Sequence, residues 1–138
     1  MKKIIEIQEK VSFHWNNETK AIIATWNHFF IEENDFQSAI KDVLKFAETN
    51  KAKAWIVDAS DAKSLCKPEL FDKIKDNILP KLNKIGIKYY VTISPKESSF
   101  AKLTEIKYKQ IVTNLGIANV EFENISSAIE WLKDINNN

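Results

Sequence analysis

Apolar and polar positions along the chain change period several times, and each change marks an element. Val11-Ser12-Phe13-His14-Trp15 alternates, Asn16-Asn17-Glu18-Thr19 is a polar turn, and Ala21 to Trp26 is apolar again. That pattern predicts a β-hairpin. Ile4 to Gln8 either extends its first strand or adds a short one. From about Glu32 to Thr49 the apolar residues Phe36, Ala39, Ile40, Val43, Leu44 and Ala47 recur at helical spacing. Glu32, Glu33 and Asp35 stand at the end of that helix where the backbone dipole favours negative charge. Ala54 to Asp58 is a short continuous apolar run, the pattern of a strand buried on both faces.

After a loop from Ala59 to Cys66, Pro68 suits the first turn of a helix. Its stripe is Leu70, Phe71, Ile74, Ile78, Leu82 and Ile85. Pro80 interrupts it, lacking the N–H that helical bonding needs, and is expected to kink or divide the helix near Leu79. Tyr89 to Ile93 is the next strand. Ser98 or Ser99 can cap a helix running to Leu115, Val120 to Phe122 is the last strand, and Asn124 caps a final helix carrying Ile125, Ala128, Ile129, Leu132 and Ile135. Gly86 and Gly116 each follow a predicted helix, where the chain turns left-handed and a side chain is disfavoured.

A hairpin followed by alternating helices and strands is the signature of an α/β fold. The expectation is one domain over 1–135 and a frayed tail over 136–138. Its sheet is mostly parallel, with about four to five strands, an antiparallel edge strand and four helices. At 138 residues, roughly two thirds of the unfolded surface can be buried around one core.

Composition narrows the chemistry. All 20 basic residues are lysine and there are only two glycines. Both glycines are taken by helix ends, so no glycine-rich phosphate loop is available. Without arginine there is no bidentate fork for guanine or phosphate, so no nucleic-acid partner is expected. Residues 63–109 hold eleven lysines against five acids, while the flanks hold nine against fourteen. A basic middle on an acidic background is either a solvated pair of helices or a surface for an anionic partner. The single Cys66 and the distant His14 and His28 supply neither an internal disulfide nor a zinc cluster. No metal or cofactor is expected. Glu6 and Glu9 interrupt any leader-like apolar run, no run of apolar residues is long enough to cross a membrane, and the expected location is cytoplasmic.

Open parallel sheets gather ligands beyond the carboxyl ends of their strands. Here that edge supplies a binding cleft of His28, Phe29, Phe30, Asp58, Ser60, Lys63, Ser94 and Lys96, with Ser64 and Cys66 as possible modification sites. Cys66 lies at a helix start beside lysines, which favour a thiolate. His28 and Asp58 have the chemistry of a base and its orienter, and Ser60 or Cys66 that of a nucleophile. No nucleophile elbow and no glycine for an oxyanion hole accompany them. No catalytic residue is therefore assigned, and the chain reads as a non-enzyme. Tyr90, Thr92 and Glu121 share the less apolar face of the last strands. If the crossover helices all lie on one side, the other face needs a ligand, a partner or the N-terminal segment to cover it.

Several blocks carry a resemblance. They are Ala24-Thr25-Trp26 closing the hairpin, Lys53-Ala54-Trp55-Ile56-Val57-Asp58-Ala59-Ser60, and Gly86-Ile87-Lys88-Tyr89-Tyr90-Val91 leading to Ser94-Pro95-Lys96 and Phe100-Ala101-Lys102. The last is Ala128-Ile129-Glu130-Trp131-Leu132. With the order of elements, these resemble the STAS-like fold (sulfate transporter and anti-sigma-factor antagonist), in the small standalone bacterial branch grouped with CRAL-TRIO lipid-transfer domains. The resemblance implies a regulatory module acting through a protein partner or a homodimer, or a carrier or sensor of a small hydrophobic or lipid-like ligand. Signalling members of that family are phosphorylated within a D-S-S/T-G sequence. Here Asp58 and Ser60 match the strand end, that sequence is absent, and Ser64 is the nearest stand-in.

Overall fold

The computed structural model describes residues 1–29, 31–62, 68–93 and 110–136, without the side chains of Pro68 and Phe71. Six strands form one sheet in sequential order: β1 (Lys2–Ile7), β2 (Val11–Asn16), β3 (Ala21–Trp26), β4 (Ala54–Asp58), β5 (Tyr89–Ile93) and β6 (Ala118–Phe122). The first two pairings are antiparallel and the remaining three parallel. The fold is thus α/β as expected, with one strand more than the upper count.

The extra strand arises because the segment expected at Ile4 to Gln8 forms a strand of its own, Lys2–Ile7, rather than an extension. Its turn carries no glycine, asparagine or proline. Glu9 itself takes a left-handed φ of 66°, and the Lys10 N–H donates to Ile7 O at 2.9 Å. The second turn follows its sequence more plainly: Asn16 Oδ1 accepts both the N–H and the hydroxyl of the fully buried Thr19, each at 3.0 Å.

Helix α1 (Glu33–Thr49) buries the expected stripe, from Phe36 to Ala47. The next helix is divided where Pro80 requires it. α2 (Pro68–Lys73) passes into a π-helical stretch, Ile74–Ile78, and then into α3 (Leu79–Lys84), with the proline in the first turn of α3. The Leu79 N–H reaches back five residues to Ile74 O. That wide turn shifts the phase of the helix by one residue, so Ile78 and Leu79 are both buried although adjacent. Residues 110–114 are helical (α4), and α5 (Ile125–Asn136) follows β6. Asn124 caps α5 as expected, its Oδ1 accepting the Ser127 N–H at 2.9 Å. Asn136, expected to begin the frayed tail, is instead the last residue of α5, and its amide donates to Thr19 O at 3.0 Å.

Gly86 (φ +100°) and Gly116 (φ +82°) occupy the predicted left-handed positions after α3 and α4. The closing bonds match: Ile87 N–H to Leu82 O at 3.0 Å, and Ile117 N–H to Val112 O at 3.3 Å. A third connection repeats the motif without glycine. After α1, Lys51 takes φ 55° while the Ala52 N–H donates to Ala47 O at 2.9 Å.

Equal-handed crossovers between strands in sequential order deliver their helices to one face. Accordingly α1, α2, α3 and Val112 of α4 share one core with Phe13, Trp15, Ile22, Trp26, Trp55 and Tyr90. The opposite face is covered by α5, whose Ala128 and Leu132 pack on Ala21, Ile23, Ala54, Ile56, Val91 and Ile93. The face expected to want cover is corrected here. Tyr90 and Thr92 are buried on the crossover side, and the side that needs its own cover is that of Tyr89, Val91 and Ile93. The C-terminal helix supplies it. Beyond the reach of α5 this face turns polar, with Lys3 paired to His14 and Glu6 to Ser12 across β1 and β2.

Two measurements check this account. Gly86→Ala is expected to destabilise by about 1 kcal/mol and Lys51→Gly to stabilise by a similar amount in urea denaturation. A Cβ on Gly86 meets nothing within 4 Å, so backbone conformation alone sets the cost. His14 titrates below its ordinary 6.5, first because it is partly buried and second because Lys3 stands beside it. The unfolded chain therefore binds this proton more readily. The His14 contribution to stability is complete above about pH 6.5 and declines as pH falls toward the folded-state value. His14→Gln should flatten the stability profile on the acid side of about pH 7.

Candidate functional site

Strands β3, β4 and β5 end together at Trp26, Asp58 and Ile93. Of the residues expected at this edge, His28, Phe29, Asp58 and Ser60 are described. Phe30, Lys63, Ser94 and Lys96, with the possible modification sites Ser64 and Cys66, lie outside the described residues.

The structure brings Asp58 and Ser60 together. Asp58 Oδ1 accepts the Ser60 N–H at 3.1 Å and the Ser60 hydroxyl at 2.6 Å. This is an Asx-turn: the carboxylate folds the chain back as it leaves β4 and occupies the serine hydroxyl in doing so. His28 is anchored on the far flank of β3. Its backbone N–H donates to Lys10 O at 3.1 Å, beside the Asn27 N–H on the same oxygen at 2.7 Å. Asp58 lies on β4, with β3 between the two anchors.

Phe29 enters the crossover side. Its ring stacks on Trp26 with centroids 4.8 Å apart, and Trp26 also meets Phe36 at 5.7 Å. This aromatic group forms one wall of a cleft of about 200 Å³ between the start of α1 and α2. Phe29, Ile31, Phe36 and Leu70 make its apolar lining, and Glu33, Glu69 and Lys73 its charged rim. Lys73 forms an ion pair with Glu33 across the two helices. Below that pair the seam between the helices continues into a second cleft of about 360 Å³, which shares Phe36 and Lys73 with the first. Both clefts open at the surface.

Sequence reasoning placed Phe29 at this edge but treated Phe36 and Leu70 as core and Glu33 as a partner of the helix dipole. The crowding of Trp26, Phe29, Phe30 and Phe36 about the start of α1 was the signal that an aromatic-lined cleft forms there. Among the described residues no group of three or more His, Cys, Asp or Glu is placed to hold a metal ion. None of the described helices is long and apolar enough to cross a membrane.

No family model matches this chain, and no curated protein or solved structure matches it either.

The Asx-turn assigns Asp58 a conformational role that can be measured. Asp58→Ala is expected to cost about 1 kcal/mol in urea denaturation, while Asp58→Asn, which keeps an acceptor oxygen, should retain most of the stability.

Proposed function

We propose that this chain is a non-catalytic STAS-like module that works through contact with a protein partner. The observation that carries the reading is the cleft at the strand-end edge, with its apolar floor of Phe29, Ile31, Phe36 and Leu70 inside a rim of Glu33, Glu69 and Lys73. An apolar centre ringed by charge is the anatomy of a protein-contact surface. The resemblance of the strand and helix blocks to the STAS-like family, whose signalling members act by protein contact, adds to it. A carrier or sensor of a lipid-like ligand would need an apolar cavity shielded from water. Support for it is weaker, because among the described residues helices occupy both faces of the sheet and the two clefts open outward.

A photo-crosslinking amino acid placed at Glu69, and separately at Ser12 on the opposite face, tests the proposal in native lysate. The expected result is a discrete protein adduct from position 69 that is absent from position 12 and lost in the Ile31→Ser variant. Adducts of equal yield at both positions, or none at either, would defeat it.

A further inference from the structure

The lower part of the seam between α1 and the π-helical stretch has a chemistry of its own. Its floor is Ile40, Leu44 and Ile78, and its ionisable lining consists of Lys41, Lys73 and Lys81 with no carboxylate. Lys73 is neutralised by Glu33 at the upper end. Among the described residues Lys41 and Lys81 take part in no ion pair. Two uncompensated ammonium groups therefore stand on different helices beside one apolar trough. Low-dielectric walls of this kind concentrate the field of the charges that line them.

The π turn contributes to this arrangement. It lies on the seam, where Ile78 lines the apolar floor and Asn77 joins Gln37 to supply neutral amides able to bond a peptide backbone. At about 360 Å³ the cleft falls within the size range of sites that hold small ligands and peptide side chains.

We infer that this trough docks an acidic segment bearing apolar side chains, presented by a protein partner. Its carboxylates meet Lys41 and Lys81 while its apolar groups rest on Ile40, Leu44 and Ile78. Charge complementarity selects this occupant, since a basic segment would face unpaired lysines of like sign. The inference rests on the protein-contact reading and names the class of partner for the same seam. It also gives a role to one lysine of the excess over residues 63–109, Lys81.

Selection of a random dodecapeptide library on the full chain provides the test, with Lys41→Glu/Lys81→Glu as the counter-target and circular dichroism to verify its fold. Enriched peptides should combine Asp or Glu with apolar residues and bind the charge-reversed variant at least about tenfold more weakly. Their affinity for the unaltered chain should also fall as salt is raised, a measurement independent of how the variant folds. Peptides without acidic residues, or peptides indifferent to both charge reversal and salt, would overturn the acidic-segment inference and leave the protein-contact reading standing. Failure to enrich any peptide would overturn it too, with the crosslinking at position 69 deciding the broader reading separately. Self-association of the chain that the same variant abolishes would assign the trough to a second copy and overturn the inference as well.

Discussion

Sequential strand order combined with crossovers of one hand is the constraint from which this architecture follows. Once β3, β4, β5 and β6 lie side by side in chain order, every connecting helix must fall on the same face. That face receives the large aromatic core of Phe13, Trp15, Trp26, Trp55 and Tyr90. Among the described residues the other receives nothing from the crossovers, and α5 covers its Ile23, Ile56, Val91 and Ile93. The cap at Asn124, the ion pair of Lys133 with Glu18 and the bond from Asn136 to Thr19 all fix where α5 lies. The side chains facing α5 are accordingly smaller than those on the crossover face, with alanines at positions 21 and 54.

The same constraint creates the candidate site. Helices crowded onto one face must pack against each other as well as against the sheet, and the seam between α1 and the divided α2–α3 helix leaves two open clefts. Pro80 contributes by forcing a wide turn beside the seam. The Glu33–Lys73 pair then separates the seam into an upper part with carboxylates and a lower part whose ionisable lining is lysine alone.

The fold was largely readable from periodicity and punctuation because these are local. Helix α1, strand β4, the break at Leu79 and the glycine ends of two helices each depend on residues close in sequence. What escaped depended on less local facts. Glu9 and Lys51 adopt left-handed conformations that favour glycine or asparagine, so the turn before β2 carried no recognisable signature. The burial of Leu79 required the phase shift of the π turn. The assignment of faces required the strand order, which no short stretch of sequence encodes. The strand-end rule names Phe29, which lines the cleft, yet half of the apolar lining comes from Phe36 and Leu70, helix residues whose apolar character looked fully used by the core.

Dependence on α5 also has a temporal side. Ala128 and Leu132 leave the ribosome after every strand they cover, so one apolar face of the sheet has no cover until the 12 residues of α5 emerge. The crossover side can consolidate helix by helix during synthesis, whereas the α5 side closes in a single late event. An exposed face of isoleucine and valine is prone to join a neighbouring chain. For this molecule the vulnerable period is therefore the interval between the emergence of β6 and that of α5, when a folding helper would have the most to shield.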